Sequence, residues 1–214
     1  ILGETTIKRG YSEKVYGEDI GCDKTIGRYY TGYIYSDCSE LTVSSEGDTV
    51  YRYFEPISYS IEFDGNGATS GDMTNDTEYF YDVEYNLPIN KFIKESRVIL
   101  NKNAEDAELD LSSINVENEF IGWSKEKESA VIYKDSDSFK NIKSENVTEK
   151  LYANWKANDF SISVIPERKG YIFAGWSENP TDKKGSTSFK ITSDKELYAV
   201  WIPDSQEYTI QILK

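Results

Sequence analysis

One tryptophan-centred pattern occurs twice in this chain and constrains the fold more than any other feature. Each copy contains, in order, an aromatic-x-Gly-Trp-Ser segment, a Ser-Phe-Lys triplet and a Leu-Tyr-Ala-x-Trp segment. The segments lie at 120–124, 138–140 and 151–155 in the first copy, and at 173–177, 188–190 and 197–201 in the second. All four tryptophans of the chain belong to these copies. Three matched segments in the same order indicate an internal repeat.

Each copy predicts two strands joined by a polar loop. The closing strand of the second copy alternates Leu197, Ala199 and Trp201 with Tyr198, Val200 and Ile202, so both of its faces are apolar and we expect both to be covered. The rings recur with their packing neighbours and without a recurring polar group. We therefore interpret them as structural core residues, in preference to a sugar-stacking platform. They are Trp123, Trp155, Trp176 and Trp201.

The motif as a whole resembles the Listeria–Bacteroides repeat, a module of extracellular proteins of Gram-positive bacteria that is related to the internalin-type B repeat. That family reads loosely Y-x-V-x-F-D-x-N-G-G, then L-P, then G-Y-x-F-x-G-W, then L-Y-A-x-W. The matching segments are 59–67, 87–88, 120–123 and 151–155 in the first copy, and 165–166, 170–176 and 197–201 in the second. The second copy lacks the opening strand of the pattern. We expect a neighbour to supply the missing surface, either the first copy or the strand-like stretch 208–212.

The resemblance implies tandem small modules related to the β-grasp fold, in an exported surface protein, and it carries no catalytic residues. The fold class predicted is mainly β, with an α+β arrangement as the alternative. We divide the chain into an N-terminal β-rich module (1–57), a first repeat (58–156), a shorter second repeat (157–203) and a terminal strand or start of a further module (204–214). Both ends are strand-like, so we expect a piece of a longer protein.

Within the first repeat, Tyr59, Ile61 and Phe63 alternate with polar residues, which predicts a half-buried strand. The glycine-rich segment after it, 64–67, is read as a turn in preference to a calcium loop, since the remaining ligand spacing is missing. Two short apolar runs, 97–100 and 114–116, flank a polar stretch. They predict an inserted hairpin, and a short helix over 104–109 is the alternative.

Both cysteines, Cys22 and Cys38, lie in the N-terminal module and predict one disulfide, because an exported chain favours oxidised pairs. A zinc site or a catalytic cysteine would need partners, and the chain has no histidine. This module also faintly resembles mucin-binding-type repeats. Its tyrosines could stack on sugar rings, or they could pack one face of a sheet, which we favour. They are Tyr29, Tyr30, Tyr33 and Tyr35.

Acidic residues outnumber basic ones by 38 to 24, so the net charge of −14 disfavours nucleic acid or an anionic membrane as a partner. No apolar run is long enough to span a bilayer. The sequence carries no catalytic or phosphate-binding motif, so we expect neither enzymatic activity nor a cofactor or metal.

The function predicted is a spacer or adhesive module, extracellular and attached to the cell surface or wall. Expected partners are other modules of the same chain and a host or cell-surface protein or glycan. The alternatives are a carbohydrate-binding module and an accessory region of a secreted hydrolase.

Overall fold

A computed structural model describes residues 19–20, 30–39, 41–42, 44, 51–75 and 77–205. Within these ranges the regular elements are all strands. They are β1 (Asp19–Ile20), β2 (Tyr33–Cys38), β3 (Leu41–Thr42), β4 (Arg52–Pro56), β5 (Ser58–Asp64), β6 (Glu78–Phe80), β7 (Tyr85–Asn86), β8 (Lys94–Asn101), β9 (Ala107–Glu108), β10 (Ser113–Ser124), β11 (Ser138–Phe139), β12 (Thr148–Lys156), β13 (Asp159–Ser161), β14 (Glu167–Arg168), β15 (Tyr171–Ser177), β16 (Ser188–Lys190) and β17 (Lys195–Pro203).

The mainly β fold predicted from the sequence is confirmed. The alternative with a helix at 104–109 is wrong, because that stretch forms a turn followed by β9. The β-grasp relationship stays a prediction, as do the module boundaries.

The chain forms two compact units, and neither is continuous in sequence. Unit 1 comprises 1–64, 73–90 and 122–152, and unit 2 comprises 65–72, 91–121 and 153–214. The chain therefore passes between the units several times, and both β10 and β12 begin in one unit and end in the other.

The sheet of unit 1 has the order β12-β5-β6. Central β5 pairs parallel with β12, with Phe63 opposite Leu151, and antiparallel with β6, with Tyr59 opposite Tyr79. Alternate residues of β5, Tyr59, Ile61 and Phe63, are buried, because one face of the strand covers the core. Two ribbons, β2–β4 and β7–β11, complete the principal pairings of this unit.

The sheet of unit 2 has the order β15-β17-β8-β10. Strand β17 pairs parallel with β8, with Leu197 opposite Leu100, and antiparallel with β15. Strand β8 also pairs antiparallel with the first half of β10. The expectation that both faces of β17 are covered is met at Ala199 and Val200 but not at Ile202, which is exposed. The ladder to β8 ends at Tyr198, so the last residues of β17 extend past it.

Candidate functional site: two matched repeat cores

Each repeat is centred on a tryptophan that follows a glycine with positive φ. Trp123 and Trp176 are both 0% exposed. The preceding glycines, Gly122 and Gly175, have φ of 137° and 104°. A Cβ on Gly122 would lie 2.5 Å from the Tyr133 carbonyl oxygen, so a side chain there would collide with the crossing loop. The glycine therefore lets the loop run directly against the strand.

The crossing loops are tied to the tryptophan backbones by hydrogen bonds. The Trp123 amide donates to the Tyr133 carbonyl over 2.7 Å, and the Trp176 amide donates to the Ser186 carbonyl over 2.8 Å. The backbone of each tryptophan is thus bonded to its own crossing loop, in the same way in both repeats. The ring itself is fully buried, as a large aromatic side chain at the centre of a small core is.

The rings pack on residues from strands that are distant in sequence. In unit 1 the Phe63 and Trp123 ring centroids are 4.9 Å apart. In unit 2 Trp176 belongs to a buried cluster that includes Val98 and Leu100 of β8 and Leu197 of β17. Its Nε1 donates to the Val164 carbonyl over 3.2 Å. The core of the second repeat therefore contains side chains from β8.

The second tryptophan of each copy ties its closing strand to a turn that is distant in sequence. Trp155 and Trp201 are half-buried. The Trp155 Nε1 donates to the Gly65 carbonyl over 2.9 Å, and the Trp201 Nε1 donates to the Lys102 carbonyl over 2.8 Å. Gly65 comes two residues after Phe63, and Lys102 comes two residues after Leu100. The two bonds are therefore equivalent, and each joins a closing strand to the turn that follows an opening strand.

A pair of asparagines strengthens this equivalence. Asn66 and Asn103 each lie three residues after the aligned core residue and have positive φ, 45° and 55°. The Asn66 Nδ2 donates to the Ala153 carbonyl over 2.9 Å, and the Asn103 Nδ2 donates to the Ala199 carbonyl over 3.1 Å. Asparagine tolerates this backbone conformation better than most residues. Strand β8 is thus the opening strand of the second repeat, as β5 is of the first.

Sequence reasoning missed this role of β8. It placed residues 97–100 in an inserted hairpin of the first repeat and left the second repeat without an opening strand. The stretch 96–104 keeps only the apolar alternation and the asparagine of 59–67; Ser96 replaces the first tyrosine, and Lys102 and Ala104 replace the glycines. The available signal was Val98 and Leu100 in alternation, followed by an asparagine at the same distance. The other candidate source, 208–212, lies outside the described residues.

The tyrosines for which a ligand face was the alternative interpretation pack against other rings. Tyr30 and Tyr35 make edge-to-face contacts with Phe54, with centroids 4.7 and 5.9 Å apart, and Tyr33 contacts Tyr81 in the same way. These three tyrosines are half-buried, and Tyr29 lies outside the described residues. The opposite face of the β2–β4 ribbon is the exposed one. It carries Ile34, Tyr51 and Tyr53.

A polar network joins the ribbon to a loop of the same unit. The Tyr33 hydroxyl donates to an Asp82 carboxylate oxygen over 2.7 Å, and this bond, with burial, raises the pKa of Tyr33 to about 12. The Asn141 amide donates to the other oxygen over 2.9 Å, and the Lys140 ammonium lies 3.2 Å from it. The bonds from Asn141 and Tyr33 lower the pKa of Asp82.

The predicted disulfide stays a prediction. Cys38 is buried at the end of β2, and Cys22 lies outside the described residues. Within the described ranges, cysteines and carboxylates form no cluster of three or more that could hold a metal ion. The part of the chain that the structure describes also contains no helix long and apolar enough to cross a membrane.

Comparison with known families confirms the resemblance seen in the sequence. Residues 138–200 match the family model of the Listeria-Bacteroides repeat domain. The match begins at β11 and ends within β17, so β8 lies outside it. Repeats of this family occur in bacterial surface proteins, and residues 138–200 are similar to them.

A protein of Evansella cellulosilytica is 24% identical over 199 residues and is described as a Gly-rich membrane protein. The match covers 80% of this chain and 20% of the relative, so the chain spans about a fifth of that protein. No solved structure matches the chain at a significant level.

Proposed function

We propose that this chain is a non-enzymatic spacer in an extracellular bacterial protein, attached to the cell surface or wall, and that it holds other modules of the same protein at a fixed distance. The observation that carries the proposal is the origin of β8. The second core takes its opening strand from between β7 and β10 of the first repeat, so the chain cannot be cut between the repeats without dividing a core. In a spacer built this way the two repeats are not independent modules joined by a flexible linker.

The chemistry of the matched residues supports a structural role. The glycines admit a crossing loop, the asparagines and the outer tryptophans bind backbone carbonyls, and the inner tryptophans fill cores. Each of these side chains is engaged in holding its own module together. The absence of histidine from the sequence also removes the side chain that most often serves as a general base near neutral pH.

Stiffness is the measurable property of such a spacer. Spin labels at the exposed positions Ile132 and Ser205, one in each unit, would report the distance between the units by pulsed electron resonance. We expect a single narrow distance distribution that viscosity and temperature leave unchanged. A broad distribution, like that of a flexible linker, would refute the spacer proposal.

Glycan binding is the second candidate function, and the exposed side of the β2–β4 ribbon favours it. Tyr51 and Tyr53 are 43% and 44% exposed; Tyr53 lies on β4, and Tyr51 directly precedes that strand. Glu55 lies next in the same row and accepts a hydrogen bond from Ser36 over 2.7 Å. Flat rings beside polar acceptors suit a neutral sugar chain.

A glycan array separates the two candidates. Binding that the double substitution Tyr51→Ala, Tyr53→Ala abolishes would establish the ribbon as a sugar site. Tyr171→Ala serves as the control, since it removes an exposed tyrosine from unit 2. Binding that all variants share, or no binding at all, would contradict the glycan candidate.

A further inference from the structure

We propose that the two repeat cores are mechanical clamps that carry tension along the chain, and that their interleaved order shields part of the first repeat from load. The proposal rests on the proposed spacer function and adds to it a behaviour under force. It follows from the direction of the paired strands and from the order in which the chain visits them.

The first clamp is the parallel pair β5–β12. Their ladder runs from Ser60 opposite Thr148 to Asp64 opposite Tyr152. Tension along the chain pulls β5 from its N-terminal end and β12 from its C-terminal end. Because the strands are parallel, this load slides one past the other and strains the evenly spaced hydrogen bonds together. Peeling, by contrast, breaks such bonds one at a time.

Side chains reinforce this ladder across the two strands. The Ser60 and Thr148 hydroxyls lie 2.7 Å apart in a hydrogen bond. The Lys150 ammonium lies 2.8 Å from a Glu62 oxygen and 3.3 Å from an Asp64 oxygen. These contacts join the strands side by side, so sliding must break them as well.

The second clamp is the parallel pair β8–β17, with a ladder from Val98 opposite Lys195 to Asn101 opposite Tyr198. The Arg97 amide donates to an Asp194 oxygen over 2.8 Å. At the other end of the ladder the Asn101 side-chain Nδ2 donates to a Glu196 carboxylate oxygen over 3.3 Å. Both clamps therefore place the first and last strands of a core side by side and in the same direction.

The two clamps enclose overlapping segments of the chain, and this overlap decides which residues bear tension. The first clamp closes the chain from Ser58 to Lys156, and the second closes it from Lys94 to Pro203. If the first clamp opens first, only the stretch before β8 is released, and the load then enters the second clamp at β8 and leaves it at β17. Residues 122–152 lie between those points in the chain and stay free of tension until the second clamp fails.

Single-molecule stretching of the full chain tests this overlap. Handles at Glu55 and Ser205 leave the first residues outside the load path, and the substitution Phe63→Ala weakens the first clamp. The expected record is a short step of about 13 nm, for about 36 residues at about 3.5 Å each, followed by a long step of about 38 nm. Two independent modules in series, spanning 58–156 and 157–203 and with the first one weakened, would instead give about 35 nm followed by about 16 nm.

The measurement is decisive even if Phe63→Ala unfolds the first core without load. The overlapping clamps then leave a single step of about 38 nm, and independent modules in series leave a single step of about 16 nm. A second geometry tests the sliding mode itself. Handles at Glu55 and Val147 pull β5 and β12 from the same end, so the first clamp should open at a several-fold lower force.

Equal forces in the two geometries, or the steps of independent modules, would overturn the clamp proposal. The spacer function fails separately, in the distance measurement between Ile132 and Ser205. A narrow distance distribution with weak clamps would refute only the force-bearing role.

Discussion

The substitution Leu100→Ala tests which repeat β8 stabilises. Its contacts place it in the core of the second repeat, whereas its position along the chain places it within the first. Leu100 is 3% exposed and lies in the buried cluster around Trp176. Removing three carbons from such a site leaves a cavity that the large neighbouring rings cannot close. We therefore expect the free energy of unfolding to fall by about 2–5 kcal/mol, as for other buried leucines.

The adjacent residue gives a matched control. Ile99 is on the same strand, points to the other face and is 44% exposed. Ile99→Ala removes a similar amount of apolar surface without opening a cavity, so the expected loss is about 0.5 kcal/mol or less. Urea unfolding of both variants measures the difference.

Hydrogen exchange followed by mass spectrometry shows which repeat depends on Leu100. In Leu100→Ala, amides of β15 and β17 should exchange faster, while those of β5 and its partner β6 keep their protection. The reasoning is refuted if protection is lost in β5 and β6 and kept in β15 and β17. It is also refuted if the two variants unfold at the same urea concentration.

Four further predictions concern single contacts. Trp176→Ala should lower the unfolding free energy by about 3–5 kcal/mol, measured in urea; an unchanged midpoint would contradict its core role. Asn103→Ala should lower it by about 1–3 kcal/mol, since alanine is strained at positive φ and cannot bond the β17 carbonyl; an unchanged midpoint would remove the asparagine from the core. Cys22 and Cys38 should resist alkylation in the unreduced protein and stabilise by about 3 kcal/mol; two alkylated thiols would exclude the disulfide. Asp82 has a lowered pKa in the folded chain, so its contribution to the free energy of unfolding is present above the ordinary carboxyl pKa. That contribution is lost as pH falls through the pKa of Asp82 in the folded chain. Asp82→Asn should therefore flatten the acid limb of a plot of urea midpoint against pH, and an unchanged limb would refute this.

Local patterns were enough to predict the elements whose signals lie within a few residues. The alternation of Tyr59, Ile61 and Phe63 predicted β5 and its buried face. A glycine directly before each tryptophan is an equally local feature, and the loops at Tyr133 and Ser186 approach the backbone there. In these cases the residues that determine the local structure all lie within one short stretch of sequence.

The pairing of β8 with β17 was not predictable in that way. The two strands lie almost a hundred residues apart, and their register places Leu197 opposite Leu100 within the buried cluster that contains Trp176. The exposed face of the ribbon was missed for a related reason. Alternation placed Tyr33 and Tyr35 together, but contacts with Phe54 and Tyr81 on other segments decided which side is covered.

The position of β8 also affects how the chain acquires its structure during synthesis. At about 5–20 residues per second, β8 emerges roughly 5–20 s before its partner β17. During that interval Val98 and Leu100 have no closing strand to cover them, although β8 can already pair with β10. A chain that ends after Lys156 therefore leaves Val98 and Leu100 without their closing strand. Only the addition of β17 covers them, so the second core closes with the last residues of the repeat.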